Sequence, residues 1–262
     1  MRRYLWLFGS QLRASALVTL QYRAEALFGL VLTAVWTASA LTPLLVLYSN
    51  RPHFAGWSWS EALLVVGWFN LLKGVQSSLI APSMVEAVER VRRGTLDFVL
   101  IKPADSQFLI STTRFDLKAT SDIVVGLAIL TWAIAHLPRI PSVAASALAA
   151  FLLLCAVAIL YGIWCMVMSL AFVFVKVDNL TYLFDSLFDA ARWPAPIFRG
   201  SLAFIFTFVL PLTVMTTFPA LALLDRISLP QVAGAPLAAL AFLALSRLVW
   251  QRALLRYSSA GG

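Results

Sequence analysis

Six long apolar segments organise this chain. They cover residues 26–48, 62–81, 120–137, 143–175, 202–224 and 232–250. Each approaches or exceeds the ~20 residues that a helix needs to cross ~30 Å of hydrocarbon. The pattern therefore predicts an all-α polytopic membrane protein with six transmembrane helices, built as a single membrane-spanning domain over residues 1–262.

Two amphipathic stretches lie outside these spans. Near the N-terminus, Leu5, Phe8 and Leu12 share one helical arc with Arg13 beside or opposite it, which predicts a helix over residues 1–23 in the membrane interface. Residues 180–192 show a second apolar face, with Asp185, Asp189 and Arg192 opposite it, and predict a further helix over 178–192. It is either a wall of a cytoplasmic vestibule or the extended end of the fourth span.

Basic residues are distributed unevenly between the two sides that six crossings would create. Sixteen of the 20 Lys and Arg, including Lys176, fall on the side of the N-terminus, and only Arg51, Arg139 and Arg226 fall on the other. Lys73 alone lies within a span. The positive-inside rule then predicts that both termini are cytoplasmic.

Composition agrees with a membrane domain, because 61% of residues are hydrophobic and only 12% are charged. The net charge of +8 could suggest nucleic acid, but the basic residues form short juxtamembrane stretches without interleaved aromatic residues. We therefore predict no nucleic-acid partner and attribute the charge to topology and to anionic lipid.

The longest polar segment joins the second and third spans and begins with signals for a short helix. Pro82 predicts the end of the second span, Ser83 and Glu86 have the spacing of a capping box, and Gly94 supplies a stop. Together these signals predict a helix over residues 83–94.

Charges within this short helix are spaced for ion pairing. Glu86 with Arg90 and Glu89 with Arg93 are i,i+4 pairs, while valines recur every third position on another flank. One flank could rest on the membrane domain while the charged flank faces the cytosol. The pattern itself leaves open whether the helix is a solvated connector or a docking element.

Small and polar residues share one stripe of the second span. They are Gly67, Asn70, Gly74 and Ser77, with Lys73 and Gln76 beside them. Such a stripe predicts a helix-packing face. Because a charge at mid-depth costs about 2.5–3.5 kcal/mol on insertion scales, Lys73 is either a pathway residue or one that snorkels or pairs with Asp122. Asp116 is a further candidate partner.

Two prolines interrupt the fifth segment. Pro211 and Pro219 each remove a backbone donor and crowd the carbonyl four residues earlier, so we predict a break in this span. Backbone freed at membrane depth must be buried or line a cavity, which makes residues 219–229 a candidate re-entrant or outer-leaflet turn.

Two ordered motifs give the chain a resemblance to a known family. The first is Gly-x-Leu-Asp-x-x-Leu-x-Lys-Pro, present as Gly94, Leu96, Asp97, Leu100, Lys102 and Pro103. The second is the run 192–198 followed by Leu210-Pro211 and by the run 218–224. Together they resemble a bacterial subgroup of type-2 ABC transporter permeases of the exporter class. The chain departs from the subgroup at Thr216-Thr217-Phe218, where more aromatic residues are expected.

This resemblance implies a permease in a bacterial inner membrane that pairs with a second, preferably unlike, permease and is driven by two cytosolic ATPase subunits. Under it, residues 83–94 form a coupling helix that seats in the ATPase. The implied coupling residues are Ser83, Glu86, Glu89, Arg90, Arg93, Gly94, Asp97, Lys102 and Pro103. The candidate translocation or packing residues are Asn70, Lys73, Ser77, Asp122, Pro211 and Pro219.

No ATP site is predicted in the chain itself. A P-loop requires glycine directly before lysine, whereas the four lysines follow Leu72, Ile101, Leu117 and Val175. ATP and Mg²⁺ are therefore expected only in partner subunits. Two alternatives are a membrane-embedded enzyme, for which the two histidines lack any motif, and an ion-coupled secondary transporter, for which Asp122 is the only acid within a span. The substrate expected from the family is hydrophobic or amphiphilic.

Overall fold

The computed structural model describes residues 2–21, 23–172 and 178–257; Lys176 lies outside them. The first half contains α1 (Arg2–Gln21), α2 (Arg23–Ser49), a hairpin of β1 (His53–Phe54) and β2 (Trp57–Ser58), α3 (Trp59–Val75), α4 (Ala81–Arg92), α5 (Asp97–Leu100) and α6 (Ser106–Ser111). The second half contains α7 (Ser121–Ala135), α8 (Val143–Ser169), α9 (Asp178–Phe188), α10 (Ser201–Phe204), α11 (Phe218–Leu223) and α12 (Leu229–Leu254).

Five helical stretches among the described residues are long and apolar enough to cross a membrane. They are Ala24–Ser49, Trp59–Arg92, Leu117–Ala135, Val143–Phe172 and Leu229–Leu254. A sixth span results if Ser201–Val209 and Thr213–Leu223, bent by 71°, count as one crossing. The prediction of an all-α polytopic membrane protein is therefore confirmed.

The two ends of the bundle are distinguished by what connects the helices there. The hairpin lies at one, which we call the hairpin end, and residues 93–120 lie at the other, the loop end. Tyr4 Oη accepts a hydrogen bond from the Asp105 amide at 3.2 Å, and Arg247 on α12 pairs with the Asp105 carboxylate at 2.6 Å. Both α1 and the C-terminal part of α12 therefore meet the loop end.

Helix α3 forms the centre of the bundle and α2 its periphery. In the most apolar stretch of the span that contains α3, 78% of the residues are buried, whereas in that of α2 only 6% are buried. Glycines allow α3 and α7 to approach closely: a Cβ on Gly126 would lie 2.8 Å from the Leu71 amide nitrogen and 3.0 Å from the Gly67 carbonyl oxygen. The small residues of the stripe thus pack against α7, as expected for an interface of membrane helices.

The expected stop at Pro82 is wrong, because α3 continues into α4 through a π-helical turn at Gln76–Ile80. In a regular helix the nitrogen of Pro82 would have bonded to the Ser78 carbonyl. That carbonyl instead accepts a hydrogen bond from the Asp116 amide at 2.8 Å. Proline therefore creates a docking point for the loop rather than a helix end.

The capping box expected at Ser83 and Glu86 is also wrong. Ser83 lies inside the continuous helix, where its hydroxyl accepts from the Arg114 amide at 3.0 Å and donates to the Arg114 carbonyl at 2.5 Å. The chain does form a capping box, with Ser58 and Glu61 at the start of α3. The predicted stop at Gly94 is confirmed, because Gly94 has a φ of +65° just after α4.

The fifth segment breaks at its first proline only. Leu210 adopts φ −118° and ψ 89°, the extended geometry favoured before proline, and the chain turns there before Thr213. Pro219 follows the π-helical turn Thr213–Thr217 and lies within the continuous helical segment Thr213–Leu223, so the helix passes through this proline as it passes through Pro82. The expected chain break at Pro219 is therefore wrong.

Candidate functional site

A cavity of about 620 Å³ lies between α2, α3, the first turn of α7 and the turn after α9. Its walls come from Thr33, Trp36, Thr37, Ser39, Ala40, Leu41, Leu44, Val66, Phe69, Asn70, Lys73, Asp122, Asp189, Arg192 and Trp193. Lys73 is 14 positions after Trp59, about 21 Å along the helix. In a hydrocarbon layer of ~30 Å, the charged part of the cavity thus lies in the half nearer the loop end.

Three charged side chains form a network in this cavity. Lys73 Nζ lies 2.9 Å from Asp189 Oδ1, and Arg192 Nη2 lies 3.0 Å from the same oxygen. Arg192 Nε also donates to the Asp189 carbonyl at 3.0 Å. One carboxylate therefore joins α3 to the turn that follows α9.

The Phe69 ring supports both cations of this network. Lys73 Nζ lies 5.5 Å and Arg192 Cζ 5.1 Å from the ring centroid, within the range of cation–π attraction. Because Phe69 is itself buried against Phe188, the ring has a fixed position. Packing of the core thus determines where the two cations lie.

Asp189 and Arg192 were not among the predicted site residues. The sequence placed them on the polar face of the helix predicted over 180–192, and that face was the available signal. The specific partner expected for Lys73 was wrong as well, because Lys73 pairs with Asp189 and not with Asp122. Asp116 accepts from the Lys118 amide at 3.1 Å instead.

A second polar contact joins the same two elements. Gln76 Nε2 donates to Asp185 Oδ1 at 2.5 Å, one turn of α3 closer to the loop end than Lys73. Because Gln76 is buried, this contact satisfies its amide nitrogen, which would otherwise be costly inside the bundle, while its amide oxygen has no hydrogen-bond partner among the described residues. Helix α9 and the turn after it are therefore fixed to α3 at two successive turns.

Asp122 lines the cavity from the first turn of α7. No hydrogen bond joins its carboxylate to another described residue, and no basic group described lies within 4 Å. Nearby, Thr37 Oγ1 donates to Asn70 Oδ1 at 3.4 Å, so α2 and α3 are in polar contact at this level. The cavity thus contains both paired and unpaired charged groups.

The remaining predicted translocation residues lie elsewhere. The Ser77 hydroxyl donates to the Lys73 carbonyl on its own helix at 2.8 Å, which satisfies it locally. Pro211 and Pro219 do not line the cavity. The structure therefore brings Asn70, Lys73 and Asp122 together and leaves the other three apart.

A different surface at the loop end carries the charged residues of α4. Arg90 Nε lies 3.2 Å from Glu86 Oε1, and Arg93 Nη2 lies 3.3 Å from Glu89 Oε2, so both predicted pairs are confirmed. The buried flank consists of Met84, Ala87 and Val88, whereas Val85, expected on that flank, is 51% exposed.

The motif after α4 alternates between anchored and exposed residues. Leu96 is fully buried, Asp97 begins α5, and Lys102 and Pro103 are exposed in the turn before α6. The exposed motif residues thus follow the charged flank of α4 directly in the chain. We refer to α4 together with residues 94–103 as the α4 surface.

The loop is held to the bundle by a polar network centred on Asp105. This residue caps α6 by accepting from the Phe108 amide at 2.9 Å, and Arg247 donates both to Asp105 and, at 3.0 Å, to Gln107 Oε1. Burial raises the pKa of Asp105, but the hydrogen bonds from Arg247 and the Phe108 amide outweigh it, so the pKa lies below its ordinary value. The carboxylate is therefore ionised at neutral pH.

Comparison with known proteins adds an independent finding. Residues 34–261 match a family model described as ABC-2 family transporter protein. No curated protein and no solved structure matches the chain.

Proposed function

Because this chain belongs to the ABC-2 family of transporter proteins, we propose that it is the permease subunit of an ATP-driven exporter. In this proposal a second permease, preferably an unlike one, completes the pathway, and two separate cytosolic subunits bind ATP and Mg²⁺. The family match over residues 34–261 is the observation that carries the ATP-driven part of the proposal. The charged cavity within the spans supports a transport pathway in this chain, because ionisable groups inside a membrane domain mark such pathways.

The route from the ATPase to the cavity follows one helix. The stretch Trp59–Arg92 is continuous over 34 residues, with Lys73 at the cavity and Glu89 on the α4 surface. These two residues are 16 positions apart, about 24 Å along the helix. The π-helical turn at Gln76–Ile80 lies between them, and such turns are common where a helix adjusts in function. A displacement of α4 can therefore reach the cavity directly.

We assign the loop end to the cytoplasm of a bacterial cell, with the membrane being the inner one. The uneven distribution of Lys and Arg supports this assignment, as does the surface itself, since Arg90, Arg93 and Arg114 are at the loop end while Arg139 and Arg226 are at the other. Both termini are then cytoplasmic.

This orientation predicts that cysteines placed at two exposed isoleucines differ in their labelling by an impermeant reagent. Ile101 is 77% exposed at the loop end, and Ile140 is 79% exposed between α7 and α8. In intact cells an impermeant thiol reagent should label Ile140→Cys and leave Ile101→Cys unlabelled until the membrane is opened. The native Cys155 and Cys165 are buried and give little background. Labelling of Ile101→Cys in sealed cells would reverse the orientation.

One observation favours a second candidate, an ion-coupled secondary transporter. The spans were expected to contain a single acid, but Asp185 and Asp189 also reach α3, and acids beside a basic residue are typical of proton-coupled carriers. The two candidates differ in their energy source.

Inverted vesicles containing the native complex distinguish them, with a panel of neutral, anionic, cationic and zwitterionic fluorescent amphiphiles as probes. With ionophores collapsing all ion gradients, uptake should continue and should require ATP hydrolysis. Uptake that follows the ion gradient and ignores ATP would support the secondary transporter instead.

A further inference from the structure

We propose that the cavity binds a zwitterionic amphiphile, with its head group at the charged network and its apolar body between α2 and α3. As a statement about the transported substrate, this inference rests on the proposed function. As a statement about binding, it rests on the cavity alone.

The head-group part of the site has unused hydrogen-bonding capacity of both kinds. Lys73 has three donors and Arg192 has five, yet Asp189 takes one from Lys73 and two from Arg192. On α7, the Asp122 carboxylate has no hydrogen-bond partner among the described residues. A phosphate or carboxylate can accept from the two cations while a positively charged ammonium group, quaternary or not, is attracted electrostatically to the Asp122 carboxylate.

The charges that line the cavity disfavour head groups that are purely anionic or purely cationic. The two cations and two carboxylates that line the cavity cancel, so a neutral ligand with separated charges matches the site. A purely anionic head would meet Asp122 and Asp189, and a purely cationic one would meet Lys73 and Arg192. Repulsion of this kind is an effective source of specificity.

The cavity extends along the membrane normal, with its apolar walls toward the hairpin end. Toward the hairpin end the walls are Leu41, Leu44 and Val66, and toward the loop end they become Asn70 and the charged network. This gradient matches an amphiphile whose head lies near the loop-end boundary and whose chain points toward the membrane centre. The volume of about 620 Å³ lies within the range of small-molecule sites.

The cavity also has an opening beside α2. Trp36 lines it and is nevertheless 69% exposed, so an amphiphile can reach the cavity from the side of the bundle. Trp36 and Trp193 add aromatic rings to the lining, and these rings are free of the cations that lie over Phe69, so a ligand ammonium group can gain cation–π attraction from them. The lateral opening, the apolar-to-polar gradient of the walls and the charges of the cavity therefore all favour a zwitterionic amphiphile.

Binding can be measured on the purified chain in maltoside micelles, without any ATPase. The probes are three single-chain amphiphiles of equal length, brominated near the head, which carry phosphocholine, trimethylammonium or phosphate. Quenching of tryptophan fluorescence should saturate for the phosphocholine probe at a concentration about tenfold lower than for the other two. Quenching should decrease in Trp36→Phe and Trp193→Phe, and it should be unchanged in Trp6→Phe, since Trp6 lies on α1 away from the cavity.

Two charge variants make the inference falsifiable. Asp122→Asn should shift the preference toward the phosphate probe, and Lys73→Met should shift it toward the trimethylammonium probe, with thermal unfolding used to verify that both fold. Equal binding of the three probes, or a preference that neither variant changes, would overturn the inference. Because no nucleotide is involved, that outcome would leave the ATP-driven mechanism intact, and loss of the ATPase would not alter these binding curves.

Discussion

Exchange of the charges on α4 is expected to abolish transport. In this variant Glu86 and Glu89 are changed to Arg, whereas Arg90 and Arg93 are changed to Glu. The exchange keeps the net charge and both i,i+4 pairs but replaces the pair of Glu89 with Arg92 by two like charges, so the helix itself should lose no more than about 1 kcal/mol. The α4 surface, however, presents an inverted pattern of charge to the ATPase. Since like charges across an interface cost several kcal/mol, the ATPase should dissociate or hydrolyse ATP without transport.

Co-purification of the ATPase and ATP-dependent uptake into inverted vesicles measure this result. The ion pair of Glu25 with Lys118, also toward the loop end, provides a matched control. Exchanging those two charges preserves the net charge in the same way and should leave both measurements near wild type. Normal co-purification and uptake by the four-residue variant would remove α4 from the docking site.

The variant Lys73→Leu, which lacks the Lys73 charge, is expected to transport at least tenfold more slowly than the wild type. The protein should still fold. Folding is retained because Asp189, the carboxylate that Lys73 pairs with, keeps its contacts with Arg192. Transport falls because the cavity loses one of its two cations and with it a charge-assisted hydrogen bond to the substrate head group. Such a bond contributes about 1.5 kcal/mol or more, which corresponds to a tenfold change in binding.

Uptake by inverted vesicles at equal expression tests this result, with thermal unfolding as the check on folding. Lys73→Arg keeps the charge and should retain a substantial part of the activity. Wild-type uptake by Lys73→Leu would mean that the ion pair with Asp189 only stabilises the fold.

Local sequence patterns predicted the spans well because each depends on a continuous apolar run. The ion pairs of α4 and the stop at Gly94 were also predictable, since both follow from spacings of four residues or fewer. The end expected at Pro82 failed because a π-helical turn carries the helix through the proline and the Asp116 amide satisfies the freed carbonyl. Ser83 was misassigned for a related reason, as its hydroxyl binds a distant loop rather than its own helix end.

The charged network depends on contacts that no local pattern contains. Lys73 and Asp189 are 116 positions apart, and tertiary contacts such as the packing of Phe69 on Phe188 bring α3 and the turn after α9 to the same level. The amphipathic pattern of residues 180–192 showed that Asp189 and Arg192 lie on a polar face. It could not show that this face lies against α3, because that depends on how the whole bundle packs.

Site-directed crosslinking from α4 tests the central claim most directly, namely that this permease is driven through α4 by a separate ATPase. Single cysteines at Val85 and Glu89 face outward, whereas one at Met84, which is 1% exposed, provides a buried control on the same turn. In the native complex, a short bifunctional thiol reagent should join Val85→Cys and Glu89→Cys, but not Met84→Cys, to an ATP-hydrolysing subunit. No crosslink from α4, with one from Ser186→Cys on α9 instead, would contradict the account.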